Sequence, residues 1–544
     1  MSFVQGARKR LPVVLLALGL VAASCGGGDD DSTAAAQTTG GSASAPASGA
    51  ATSGGATTSV AFDPAGVVKT NFDLTQVGGV DFDPLTRGPS FYVLQEYVYD
   101  TLLHRSATGA FEPGLAKSAT IVDPKTVEVK LRDGLVFSDG APLDADALKV
   151  GMMRNATSQS VGFRADVFEI QDVQVVDKTT ARLVLKSESA GAVYAMLAYP
   201  ESFLVSPKAL AAGVDLKTKP VGAGPFVLSS LEVGTAAHFK KSPSYYDAAN
   251  VKLGGIDVIH VATGSPSALN GLLSGQLDLA TIDLTQVDAA KAGSNVKTDV
   301  STGSSYGMIY WCKSKPPLDD VRVRQALNYA INRDEIVATV QGGHGSPAWG
   351  LWPKGSKLFV PELENAYKYD VVKAKELLTA AGYANGFTIE SFFTPGAGQK
   401  TGEVLQAQWA KVGVKLNLVA TTDYVNDFMR NAKAPLWISG WSGAGNRRIS
   451  RLYAPGQLPN VCNYNDAELN GLLAQLNKID ETSPEGIKVW AQLQKIVSDK
   501  VLSVNLGWTP TATAYKSDRL GGFEMMESAV AGLVVNPWKL YVKK

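Results

Sequence analysis

Alternating and short apolar runs, broken by Gly, Pro, Asn and Asp, begin near Val67 and continue to the C-terminus, interspersed with segments of helical period. The two periods together predict a mixed α/β protein. TVEVKL (126–131), ARLVLK (181–186), IDVIHVA (256–262), YGMIYWC (306–312) and PLWISGW (435–441) read as strands. Asp319 and Asp320 supply an N-cap for VRVRQALNYAINRDEIVATV, in which Val323, Leu327, Ala330 and Ile331 recur at helical spacing and Gly342-Gly343 makes the stop. Further helices are VVKAKELLTAAG, opened by Asp370 and ended by Gly382, and GEVLQAQWAKVG from Gly402 to Gly413. Asp133-Gly134 and Asp139-Gly140 are turn pairs flanking a short strand. VGAGPF (221–226) sets a backbone permissive to positive φ beside rigid Pro225, which suits a chain crossing between lobes.

The pattern before this body is different. Arg8, Lys9 and Arg10 precede the uncharged run LPVVLLALGLVAA, and small residues follow up to Cys25. That order is an export signal, and the run is too short for a comfortable permanent span. A cysteine directly after small residues resembles the lipobox of bacterial lipoproteins, although Ala22 stands where leucine is usual. The reading is a lipoprotein signal peptide at 1–24 with Cys25 as lipid anchor; an ordinary secretory signal with a chance cysteine is the alternative. Residues 26–59 are Gly, Ser, Thr and Ala with an acidic triplet at Asp29–Asp31, so 25–59 reads as a lipidated cysteine and flexible tether.

The 544 residues carry 51 basic and 51 acidic side chains, 19% charged and 45% hydrophobic, which excludes disorder over most of the length. Neutrality without a basic stripe argues against nucleic acid as a partner. The signal holds three basic and no acidic residues, so the mature protein has 48 against 51. Three cysteines and four scattered histidines leave little for a structural zinc site, and neither metal nor cofactor is expected.

Several blocks resemble the family 5 extracytoplasmic solute-binding proteins of peptide and nickel ABC importers. FDPLTRGPSFYVLQEYVYDTLL (82–103) is similar to the family's opening segment, and FEPGLAKSATIVDPKTVEVKLRDGLVFSDGAPLDADAL (111–148) to its signature. VGAGPFVLSS (221–230), PSYYD (243–247), LLSGQLDLA (272–280), KPPLDDVRVRQALNYAINRDEIV (315–337), YDVVKAKELLTAAGY (369–383) and LQAQWAKVGVKLNLV (405–419) follow in the family's order. The resemblance implies a two-lobed periplasmic-binding-protein fold with an extra domain inserted in the first lobe. By position, lobe I is 60–100, 219–297 and 505–544, the inserted domain 101–218, and lobe II 298–504. It also implies capture of a small solute, a peptide or peptide-like compound, between hinged lobes, and its delivery to ABC permease subunits in the membrane. A monomer, tethered to the bacterial cell envelope outside the cytoplasm, is expected.

The family takes ligand contacts partly from a loop that begins with Gly-Trp, here ISGWSGAGNRRISRLYAP (438–455). Gly440, Trp441 and Ser442 are thereby candidate binding residues, with Trp441 either stacking on ligand or capping the core. In dipeptide-binding relatives an aspartate in this loop holds the ligand's ammonium group; Ala444 stands there instead. A free amino terminus would lose a charge-assisted hydrogen bond worth about 1.5–3 kcal/mol. Arg448 offers a planar fork for an anion, or is a solvated loop arginine. Tyr424 falls at an aromatic cleft position of relatives, and Tyr310, Trp311, Trp352 and Trp508 lie near cleft segments, where core packing is the competing role. Cys312 and Cys462 are a candidate disulfide in an oxidising compartment, with two buried thiols as the alternative.

An enzyme reading competes at one motif. GSSYG (303–307) satisfies G-x-S-x-G, but a polar run precedes it and a strand-like run follows, whereas a nucleophile elbow needs a strand before and a helix after. A secreted hydrolase acting through Ser305, or a binding protein that feeds a sensor, are the alternatives to an importer receptor, which is expected to have no catalytic residues.

Overall fold

The computed structural model describes residues 61–544 apart from 76–79, 86–91, 107–108, 159–168, 302–304, 443–446, 529–531 and 537. Cys25, the tether and Ala444 therefore lie outside the described residues. The body from Val60 onward forms one compact unit.

Three larger sheets, each with its own apolar core, organise it. In the first, Val67–Phe72 runs parallel to Gly255–His260, which pairs antiparallel with Ala236–Lys241 and then Phe226–Glu232. In the second, all antiparallel, the order is Ala116–Asp123, Thr126–Leu131, Thr180–Leu185, Ile170–Val175, with the helix Ala145–Thr157 packed against it. The third has six strands in the order Ser346–Pro347, Val504–Thr509, Ser305–Trp311, Leu436–Ser442, Phe387–Phe393, Val414–Ala420. Its two faces carry different cores, as the alternation of side chains along a strand requires. Ile309, Trp311, Leu436 and Ile438 face the helices Val321–Tyr329, Val371–Ala380 and Ala397–Ala410; Met308, Tyr310, Trp437 and Trp441 face the helices Ala467–Lys478 and Pro484–Asp499.

Two adjacent passes of the chain join the third sheet to a small sheet of Leu279–Ile282, Ala512–Lys516 and Val296–Val300. One runs from Val296–Val300 toward Ser305–Trp311, the other from Val504–Thr509 into Ala512–Lys516, and Ser301 N–H donates to the Thr511 carbonyl at 3.1 Å between them. These passes form the crossing between two lobes.

Local sequence accounts for most element ends, and four readings need correction. The long helix expected after Asp320 is two, Val321–Tyr329 and Arg333–Val340, because the Asn332 side chain accepts from Glu335 N–H and starts a second cap. The helix expected from Gly402 begins a turn earlier, at Ala397. Gly222 and Gly224 do not adopt positive φ: a Cβ on either would lie 2.3 Å from the Val98 carbonyl oxygen or 2.5 Å from its carbon, so close backbone approach requires glycine there. Gly134 and Gly140 do take positive φ, 72° and 78°, but the segment they flank is not a strand: Val136 makes only an isolated bridge, to Pro142 beyond Gly140.

Candidate functional site

A cavity of about 470 Å³ opens where the crossing meets the third sheet. Thr281, Ile282, Asp283, Leu284 and Ala512 line it from one lobe; Ser305, Tyr306, Gly307, Gln341, Thr394, Ser439, Gly440, Trp441, Gly507 and Thr509 line it from the other. Strand register fixes much of this wall. Across the three central strands Thr509, Ser305 and Ser442 are direct partners, then Trp508, Tyr306 and Trp441, then Gly507, Gly307 and Gly440. Alternation sends Thr509, Ser305 and the glycine row to one face and the aromatic row to the other, where all three rings join the buried core.

The lining is nearly neutral. Among the described lining residues Asp283 is the one carboxylate and there is no Lys, Arg or His; the Asp283 carboxylate accepts Thr285 N–H at 2.9 Å in a reciprocal cap with Gln286. The Tyr306 phenol is pushed far above its ordinary value by burial, with Tyr453 and Tyr310 adding to the effect, so it stays an uncharged hydroxyl. Gln341 donates from Nε2 to Thr509 Oγ1 at 2.9 Å. One buried polar atom on the cavity side, Gln341 Oε1, has no partner among the described residues. A buried polar group without a partner costs about 1–3 kcal/mol, which a bound solute or ordered water can relieve.

Of the candidate binding residues, Gly440 and Trp441 line this cavity together. Ser442 ends the same strand, paired through its backbone with Ser305. Tyr310 does not line it: the ring is buried, stacks on Trp437 at 4.7 Å, and its hydroxyl donates to the Gly440 carbonyl at 3.1 Å. Tyr424 also stacks on Trp437, at 4.6 Å, and is half-buried. These two tyrosines support the Gly-Trp strand from behind. Arg448 belongs to the short 3-10 helix Arg447–Leu452, and its side chain lies outside the described residues. Cys312 and Cys462 are joined by a disulfide with Cα atoms 5.4 Å apart, which ties the segment after the Gly-Trp loop to the end of the central strand. Trp352 and Trp508 line a second cavity of about 390 Å³ with His344, Trp349 and Phe359. Ser305 opens a strand that continues to Trp311, and no histidine lines the first cavity among the described residues, so an elbow's helix and a triad's base are both missing there.

The sequence reading did not single out Gly307, Gln341, Thr394, Ser439 or Gly507. A signal for the glycines was present, since each interrupts an otherwise strand-like run, and an isolated glycine in a strand marks a bulge or a close approach.

Residues 110–456 match the bacterial extracellular solute-binding proteins, family 5, middle region, and the chain belongs to that family. It is a substrate-binding protein of the kind that serves ABC importers, working outside the cytoplasm. The glutathione-binding protein GsiB of Escherichia coli is 28% identical over 471 residues, 81% of this chain and 91% of that one. Among solved structures, DppA of Helicobacter pylori in complex with the peptide STSA superimposes with a TM-score of 0.72 at 22% identity, covering 89% of this chain and 99% of that one. AgaA of A. tumefaciens in complex with agropinic acid gives 0.71 at 23% identity, covering 88% of this chain and 99% of that one. The shared architecture is the two-lobed periplasmic-binding-protein fold.

Proposed function

We propose that this protein captures a peptide-like solute in the cavity between its lobes and hands it to ABC permease subunits, while Cys25 tethers it to the cell envelope. The carrying observation is the cavity itself, of about 470 Å³, walled by both lobes and lined by hydroxyls, one carboxamide and bare backbone. Such a site gives a ligand different contacts in the open and closed forms, and that difference drives closure. No bond is made or broken in this scheme. The binding roles of Gly440, Trp441, Ser442, Tyr424, Arg448 and Tyr310 and a monomeric state belong to the same proposal, as do the domain boundaries given above, with the return to lobe I moved from residue 505 to about residue 510 because Val504–Thr509 pairs within the six-stranded sheet. Tyr310 and Tyr424 act in it by holding the Gly-Trp strand.

GsiB's name and the STSA complex of the DppA relative support a peptide-like class. The substitution at Ala444 bears on which member. With no aspartate at that position, and Asp283 the one carboxylate among the described lining residues, already held in a helix cap, the solute is one whose recognition does not depend on a captured ammonium group. Isothermal titration of the mature protein with glutathione, Ser-Thr-Ser-Ala and their N-acetylated forms tests this. The expected result is binding of at least one peptide with little loss on acetylation. Failure of every peptide, alongside binding of an oligosaccharide or a non-peptide organic acid, would reject the ligand class.

A further inference from the structure

Gly307, in register with Gly440 and Gly507 on the cavity face, needs an explanation that the folded chain does not provide. None of Gly307, Gly440 and Gly507 has positive φ. A Cβ built on Gly307 would meet only Leu506, at 3.6 and 3.8 Å, which is ordinary contact. On Gly440 it would meet one atom, the Tyr306 carbonyl oxygen at 3.3 Å. Neither backbone conformation nor packing excludes alanine at Gly307, yet glycine inside a strand is disfavoured by about 0.5–1 kcal/mol relative to alanine. Register also shifts between Gly307 and Met308, a bulge that leaves Leu506 unpaired beside the row.

A second observation points the same way. Gln341 is 4% exposed, lines the cavity, and has an unpartnered Oε1. Its carboxamide lies over Gly507, where an added Cβ would be 3.3 Å from Nε2 and 3.4 Å from Oε1. A carboxamide is the natural partner of another amide, because it offers a donor and an acceptor in one plane.

We propose that Gly307 and Gly440 form a bare-backbone platform on which an uncharged peptide unit of the solute lies flat, bounded by the Gln341 carboxamide over Gly507. This rests on the peptide-binding reading above and adds the residues that set how closely the solute can approach. Side chains here would lift the solute off the backbone and away from Gln341.

The experiment compares wild type, Gly307→Ala and Gly307→Val in the full mature chain, using glutathione and Ser-Thr-Ser-Ala as probes. Titration should show affinity falling about tenfold for Gly307→Ala and further for Gly307→Val. The melting temperature of unliganded Gly307→Ala should equal or exceed that of wild type. Undiminished binding by both variants overturns the platform while leaving the importer reading intact. A lowered unliganded melting temperature for Gly307→Ala also overturns it, because the glycine would then serve the fold. Absence of binding by wild type to either probe overturns the peptide reading and the platform with it.

Discussion

Replacing Cys312 and Cys462 together by serine lowers the unfolding free energy of the lobe that carries them by about 3–5 kcal/mol, measured by urea denaturation without reductant. The bridge spans 150 residues, so it removes a large share of the loop freedom of the unfolded chain. It also holds Cys462 at φ 59°, a conformation that a non-glycine residue rarely adopts, next to Asn463 at φ 48°. A supporting hydrogen bond, Gly456 N–H to Asn463 Oδ1 at 2.8 Å, remains in the variant. Reduction of wild type should reproduce the loss. An unchanged denaturation midpoint in both experiments would mean that the native core alone determines this segment.

Lys313→Met should stabilise the protein by about 1–4 kcal/mol at pH 6, and the gain should shrink as pH rises toward 10. Lys313 follows the bridged Cys312, is 7% exposed, and has its ammonium 3.5 Å from the Trp311 carbonyl and 5.5 Å from the Tyr464 ring centre. Burial, helped by the nearby Arg324 charge, lowers its pKa from the usual 10.5 to about 7. In the unfolded chain the group keeps its proton to about pH 10.4. Between these values unfolding takes up a proton, so wild-type stability rises with pH across that window. Below pH 7 both states are protonated and the full desolvation cost remains. Methionine removes the titration and retains the apolar stem. Denaturation series at pH 6, 8 and 10 would show a narrowing gap; a constant or widening one would refute the assignment.

How far the sequence could be read differs between the frame and the site. Thr126–Leu131 was legible because it buries alternate side chains in one core, and Ser305–Trp311 and Leu436–Ser442 because their near-continuous apolar runs feed two cores, one on each face of the sheet. The split at Asn332 was not, since helical apolar spacing continues through a residue whose side chain caps a new start. At the site, the Gly-Trp strand was legible through resemblance, and it does line the cavity. Tyr310 and Tyr424 were legible only as aromatics near it, because stacking on Trp437 is a tertiary fact. The alignment of Gly307 with both Gly440 and Gly507 depends on the pairing register of strands more than 60 residues apart in sequence, which no local pattern encodes.

The central claim is that a solute is trapped between the two lobes, and hydrogen–deuterium exchange with and without the tightest-binding peptide tests it most directly. The account predicts slowed exchange on both walls of one cavity, in residues 281–284 of one lobe and in residues 336–341 and 439–441 of the other. Protection confined to residues 344–365 around the second cavity, or to a single lobe, would contradict it.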